Sequence, residues 1–130
     1  MLDSNNKFTI DNVANYIIDS DVRSLFLTTI GSIRKIGYDI QENVESKGIT
    51  YWVAGLRFGK FGELVPKKKS FWSGLKVSPE ANTIKPKWPV VKNSDWKWYY
   101  TPDITTKEKA DELVTEFMTA YQLIKKIGSK

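Results

Sequence analysis

Apolar residues recur at helical spacing through the N-terminal third of the chain. After Thr9, a residue type that caps helices, they lie three or four positions apart and predict a short helix from about Ile10 to Asp19. A second helix is predicted to begin at the polar cluster 19–21 and to end before Gly37, which suits the C′ position of a helix. Two helices therefore precede the first strand.

From Tyr38 onward, apolar and polar residues alternate with a period of two, which is typical of strands. The predicted strands are 38–44, 50–58, 61–65, 71–77 and 96–101. In the strand 50–58 the alternation places Trp52 toward the core with Ala54, Leu56 and Phe58, and places Tyr51 and Val53 on the opposite face with Arg57. Trp96 and Trp98 are assigned to the core for the same reason.

The strand 71–77 carries a tryptophan and a lysine on one face. Phe71 and Leu75 are predicted to point inward, so Trp72 and Lys76 share the outer face. After this strand comes a proline-rich loop of residues 78–95, a length at which binding loops, lids and linkers are common. The spacing of Thr105 and Glu108 then predicts a capping box that opens a long final helix. Its apolar stripe is Ala110, Leu113, Val114, Phe117, Tyr121 and Ile124.

This order of elements predicts an α+β fold. Strands joined by short turns pair antiparallel, so we expect a meander sheet of four to five strands. Two N-terminal helices precede it, and the long C-terminal helix is expected to pack on one face of the sheet. Residues 1–130 are predicted to form a single domain, with 1–8 a flexible N-terminus and 78–95 the long loop.

Composition limits the chemistry that the chain can perform. It has no cysteine and no histidine, which excludes disulfides, thiolate nucleophiles, Ser-His-Asp triads and Cys/His zinc sites. The sequence predicts no catalytic residue, no metal site and no cofactor. No apolar run approaches the roughly 18 residues of a membrane span, so we expect a cytoplasmic protein with no membrane partner.

Aromatic rings and positive charge are concentrated between Tyr51 and Tyr100. This segment holds all five tryptophans, ten of the 20 basic residues and three of the 15 acidic ones, so its net charge is +7 against −2 for the rest. Flat rings beside cations suit the bases and phosphates of nucleic acids. The candidate residues for binding nucleic acid or another partner are Arg57, Lys67, Lys68, Lys69, Trp72, Lys76, Trp88, Lys97 and Tyr99.

Two of these features also have structural explanations. A lysine run at a turn, such as Lys67–Lys69, is an ordinary way to keep the edge of a sheet soluble. Trp88 lies in the proline-rich loop, and a loop that folds back would place its ring against the sheet as a packing residue. The exposure of Trp72 and Trp88 therefore decides how much of the aromatic and basic segment is available to bind a partner.

Four segments resemble a small bacterial domain of unknown function. They are 36–37, 51–56, 71–77 and 120–124, and the resemblance spans roughly residues 20 to 125. That domain occurs alone or attached to restriction-endonuclease-like and other defence-associated proteins. The resemblance implies a defence-related context but brings no active residues to transfer. The proline-rich loop with its extra tryptophan departs from the family pattern.

The sequence leaves a small-molecule pocket between the sheet and the loop open, and beside it three further functions. The first is a non-catalytic module that binds nucleic acid, or a protein complex on nucleic acid, through the outer sheet face and loop. The second is a small regulator of phage or defence type that binds a protein through the same aromatic face. The third, and least favoured, is a metal-dependent nuclease, for which Asp95-Trp96-Lys97 and Glu45-Ser46-Lys47 have the carboxylate–lysine spacing.

Overall fold

The computed structural model describes residues 8–56, 59–77, 90–93 and 96–128. Its elements in chain order are α1 (Ile10–Ala14), α2 (Ser20–Arg34), β1 (Ile40–Glu45), β2 (Gly48–Val53), β3 (Lys60–Pro66), β4 (Phe71–Val77), β5 (Val90–Asn93), β6 (Trp96–Tyr100) and α3 (Lys107–Gly128). The α+β prediction is confirmed, with two N-terminal helices, an antiparallel sheet and the C-terminal helix against one sheet face.

The sheet has six strands in the order β1-β2-β3-β4-β6-β5. Neighbouring strands from β1 to β4 follow one another along the chain, as a meander requires, but β6 pairs with β4 and leaves β5 at the edge. The predicted count of four to five strands is therefore too low. The missing strand, Val90–Asn93, lies inside the predicted loop 78–95 and begins with two β-branched valines. The rest of that loop, and the predicted flexible N-terminus apart from Phe8, lie outside the described residues.

The first helix is shorter than predicted, because the chain leaves it to meet the turn between β3 and β4. The helix ends at Ala14, and the amides of Tyr16 and Ile17 donate to carbonyls three residues back, at 3.2 and 3.0 Å, which tightens the last turn. The amide of Ile18 then donates to the carbonyl oxygen of Lys68 at 2.7 Å. The end of α1 is thus set by a backbone hydrogen bond to a distant turn. The spacing of apolar residues cannot predict such a bond.

Both long helices begin at capping residues. The Asp19 carboxylate accepts a hydrogen bond from the amide of Val22 at 3.0 Å, as the polar cluster 19–21 predicts for α2. At α3 the cap is Thr106 rather than Thr105, since the Thr106 hydroxyl accepts from the amide of Lys109 at 3.3 Å. The predicted start of α3 is therefore one residue early.

The face of β2 that meets the core is the opposite of the predicted one. Ile49, Tyr51 and Val53 are buried, whereas Trp52 is only half-buried and its indole N–H donates to the hydroxyl of Thr50 at 3.0 Å. Packing explains why this face of β2 is buried. The Tyr51 ring meets the Phe117 ring of α3 edge-on, with centroids 5.6 Å apart.

A buried tyrosine needs a partner for its hydroxyl, and β1 supplies one. The hydroxyl of Tyr51 donates to the Glu42 carboxylate at 3.1 Å, and the guanidinium of Arg34 donates to both oxygens of that carboxylate at 2.7 and 2.8 Å. Burial, with the negative charge of Glu42, raises the pKa of Tyr51 well above its usual range, so the ring stays neutral. This network satisfies the hydroxyl and therefore allows a tyrosine in the core, although the alternation of hydrophobic residues predicts Tyr51 on the opposite face.

Close approach of α3 to the sheet requires a glycine in β3. A Cβ built on Gly62 would lie 2.6 Å from the Phe117 ring. Phe61, which is fully buried, lies at the bulge where the β2–β3 register shifts, and its ring packs against Phe117 and Tyr121 with centroids 5.9 and 5.8 Å away. Phe117 therefore sits at the centre of the contact between the helix and the sheet.

The C-terminal part of α3 is tied to the segment between α2 and β1 by three polar side chains. The Asp39 carboxylate accepts from the hydroxyl of Tyr121 at 2.5 Å and from the ammonium of Lys125 at 2.9 Å. These bonds, the tyrosine first and the lysine second, hold the pKa of Asp39 below its usual range. Gly37 lies against the Tyr121 hydroxyl, where a Cβ would overlap it.

Replacing Asp39 with asparagine is expected to lower the free energy of unfolding at pH 7. Because the carboxylate has a lower pKa in the folded protein, its contribution is complete above the unfolded value of about 3.9 and is lost as the pH falls through the folded value. Denaturant titrations at several pH values should therefore show a difference between wild type and variant that shrinks below about pH 4. A difference that stays constant down to low pH would contradict this.

Candidate functional site

The sheet face opposite the helices carries an aromatic pair. We call this face the outer face and define it by the described side chains Thr50, Trp52, Lys60, Glu63, Val65, Trp72, Lys76 and Tyr100. The rings of Trp72 and Tyr100 meet edge to face with centroids 5.6 Å apart. Both rings are half-buried, so each keeps accessible surface.

Gly74 of β4 lies between Glu63 of β3 and Tyr100 of β6. A Cβ at Gly74 would come within 3.1 Å of the Tyr100 ring and 2.9 Å of the Glu63 carboxylate, so both side chains lie across the glycine. Burial, and then the charge of Glu63, raises the pKa of Tyr100 above its usual value. The hydroxyl is therefore neutral at physiological pH and acts as a hydrogen-bonding group rather than as a base.

The described charges of the outer face nearly balance. The Lys60 ammonium lies 3.7 Å from the Glu63 carboxylate, and the pKa of Lys76 is lowered by burial and by the nearby charge of Lys60. This face is therefore aromatic but only weakly basic. Any strong electrostatic attraction must come from another part of the molecule.

Positive charge is instead concentrated at the turn Lys67–Lys69, which we call the lysine corner. All three lysines are exposed, and the turn is closed by a hydrogen bond from the amide of Lys67 to the carbonyl of Ser70 at 2.8 Å. The Lys67 ammonium lies 3.2 Å from the carboxylate of Asp103. Among the described residues, Lys68 and Lys69 have no ion-pair partner.

The structure brings together only some of the candidate residues. Trp72 and Lys76 lie on the outer face and Lys67–Lys69 form the exposed turn, as predicted. Arg57 and Trp88 lie outside the described residues. The backbone register pairs Tyr99 with Leu75 and Lys97 with Val77, so these two positions do not fall in the row of Trp72 and Lys76, with which they were grouped.

The outer face also contains residues that the sequence pattern assigns to the core or does not single out. The alternation predicts Trp52 in the core and groups Tyr100 with core tryptophans, but both belong to the outer face. The backbone register pairs Trp98 with Lys76. The alternation of the sequence already separates these residues from the other face. The contact between Tyr51 and Phe117 then shows that the face of Tyr51 is the buried one.

The structure gives no support to the carboxylate–lysine spacings as a metal site. Glu45 ends β1 and its carboxylate accepts from the hydroxyl of Thr50 at 3.3 Å, while Lys47 lies in the following turn. Asp95 lies outside the described residues. Across the part of the chain that the structure describes, there is no group of three or more acidic residues that could hold a metal ion.

The fold and this surface define an α+β protein whose sheet has its helices on one face and an aromatic surface, flanked by a lysine turn, on the other. Comparisons with protein-family models, with curated proteins and with solved structures find no match to this chain. None of the described helices is long and apolar enough to cross a lipid bilayer.

Proposed function

We propose that this protein is a non-catalytic module that binds single-stranded nucleic acid on the outer face. The observation that carries the proposal is the Trp72–Tyr100 pair on the sheet face opposite the helices. An antiparallel sheet with helices on one side and accessible rings on the other offers a platform on which unpaired bases stack. Stacking on an aromatic ring contributes about 1–3 kcal/mol per base and tolerates any base sequence.

Single strands suit this surface better than duplexes. A base can stack on Trp72 only when it is free of its own neighbours, as in single strands, loops and ends. The half-buried lysines beside the rings, Lys60 and Lys76, are placed to meet phosphates or base edges next to a stacked base. The lysine corner supplies the greater part of the charge. We therefore expect affinity from both stacking and phosphate contacts, each from a different part of the surface.

A second candidate function is favoured by the ion pair between Lys60 and Glu63. Balanced charge around half-buried aromatic rings is also typical of surfaces that bind proteins, in which aromatic anchors carry most of the energy. In that case the protein would be a small regulator that occludes a partner, in the defence-related context that the resemblance suggests. A metal-dependent nuclease is the least supported alternative.

Salt dependence separates these functions. Fluorescence anisotropy with labelled single-stranded DNA, single-stranded RNA and duplex DNA, each at two salt concentrations, measures both affinity and its salt slope. We expect single strands to bind more tightly than the duplex, with log K falling linearly as log salt rises. Failure of every probe to bind at low salt would overturn the proposal and leave the protein-binding regulator. Magnesium-dependent shortening of the probes would instead reveal nuclease activity.

A further inference from the structure

Beside the lysine corner, an exposed tyrosine borders the largest described depression at this end of the molecule. A cavity of about 530 Å³ is lined by Tyr16, Pro66, the three lysines of the corner and Ser70. Two smaller depressions of about 270 and 290 Å³ also have Tyr16 and Pro66 in their walls, and the first of them extends to Lys47. Tyr16 is 56% exposed. A flat ring and several ammonium groups therefore line one shallow, open depression.

This surface is held in place by the fold. The Ile18–Lys68 backbone hydrogen bond joins the segment after α1 directly to the turn of the corner, and the bond from Lys67 to Ser70 closes that turn. The amide of Tyr16 is held by the carbonyl of Val13. Because the backbone on both sides of the depression is anchored, a ligand would not need to order it first, which lowers the cost of binding.

The positive charge of the lysine corner favours binding of an anionic ligand. Lys67 is engaged by Asp103, whereas the exposed Lys68 and Lys69 are without an ion pair in the described part of the chain. A lysine ammonium is a mobile point charge that suits phosphate oxygens. An aromatic ring beside two such charges matches the two parts of one nucleotide, since the base can stack on the ring while the phosphates contact the lysines.

The corner and the outer face are joined through β3 and β4. Trp72 lies three residues after Lys69, and the register pairs it with Val65, next to Pro66. Pro66 lines all three depressions that Tyr16 borders. From Lys60 to Pro66 the strand covers roughly 20 Å. Pro66 itself pairs with the buried Phe71, on the face opposite to Trp72, so a strand that stacks on Trp72 must turn around the end of β3 to reach Tyr16.

We propose that Tyr16, Lys68 and Lys69 form a second nucleotide subsite, at which the single strand leaves the outer face and turns around the lysine corner. This inference rests on the proposed function, because it describes where the same strand goes next. The two surfaces then contribute different parts of the binding affinity. The corner supplies most of the salt-dependent affinity, and the rings supply affinity that salt hardly changes.

Two variants of the corner test this assignment. With a labelled oligothymidine of about 12 nucleotides, Lys68→Ala combined with Lys69→Ala should reduce the magnitude of the salt slope by about 1.4, since each phosphate contact on a single strand contributes about 0.7. Tyr16→Ala should weaken binding by about 5- to 30-fold with an unchanged slope, while Tyr16→Phe retains the ring and should bind like the wild type. The matched control is Lys35→Ala with Lys126→Ala, which removes the same charge at the far end of α2 and α3.

The outcomes separate this inference from the proposed function. If wild type binds and the corner and control variants lose the same amount of salt slope, the charge acts from a distance and the subsite is wrong. If Tyr16→Ala binds as tightly as wild type, no base stacks there, which also overturns it. If an acidic peptide competes with the oligonucleotide at the corner as strongly as unlabelled oligothymidine does, the corner recognises charge alone and the subsite is again wrong. Absence of binding by wild type would instead refute the proposed function itself.

Discussion

Replacing Phe117 with alanine is expected to lower the free energy of unfolding by about 3–5 kcal/mol, a large share of the stability of a domain of this size. The ring is fully buried and meets the rings of Tyr51 and Phe61 edge-on. It also lies against Gly62, which has no side chain to fill the space that the variant would leave. The loss therefore combines lost burial with a cavity that cannot easily collapse.

Urea unfolding followed by circular dichroism measures this change. The neighbouring residue provides a matched control, since Met118 is 43% exposed on the same helix and its replacement by alanine should change stability by less than about 0.5 kcal/mol. Equal destabilisation by the two substitutions would contradict the packing of α3 on the sheet through Phe117.

Replacing Trp72 with alanine is expected to weaken binding of single-stranded nucleic acid by about 10- to 150-fold, with little change in the salt slope. The indole is half-buried against Tyr100, so its removal takes away a stacking surface and also frees its neighbour. No charge changes, so the phosphate contacts that determine the salt slope remain. Anisotropy titrations at two salt concentrations measure both quantities in the same experiment.

Two controls accompany this measurement. Tyr38 is 99% exposed in the segment between α2 and β1, away from the outer face, so Tyr38→Ala removes an aromatic ring without touching the site. Trp72→Phe keeps an aromatic ring and should retain most of the affinity. Binding that is equally weakened in Tyr38→Ala, or unchanged in Trp72→Ala, would be evidence against stacking on the outer face. Circular dichroism establishes that each variant is folded.

The separation of rings from charge changes how the basic middle of the chain is understood. In the sequence, tryptophans and lysines alternate and suggest one mixed surface. In the structure, the rings of Trp52, Trp72 and Tyr100 lie on the weakly basic outer face, whereas the exposed lysines of the corner lie at the end of β3. Stacking and charge can therefore be removed independently, which is why the two kinds of variant are expected to differ in their salt slopes.

Local signals in the sequence determined most of the elements and their order, but not the strand Val90–Asn93. The caps of α1 and α2, the alternation in 71–77 and the stripe of α3 all involve residues within a turn or a strand of one another, so the α+β fold, the strand Phe71–Val77 and the outward position of Trp72 could be predicted. The lysine turn after Pro66 was visible for the same reason. Gly37 is not the C′ residue of α2, because that helix ends at Arg34 and is capped by Lys35.

Only the tertiary structure decided which face of β2 is the core and where the surface residues meet. Alternation defines two faces but cannot say which one is buried, and a shift of one residue exchanges them. That choice depends on the fit of Phe117 between Tyr51 and Gly62, and on Glu42 and Arg34, which satisfy the tyrosine hydroxyl. The meeting of Tyr16 with the lysine corner likewise depends on a backbone bond between residues 50 positions apart, Ile18 and Lys68, and no local pattern encodes such a contact.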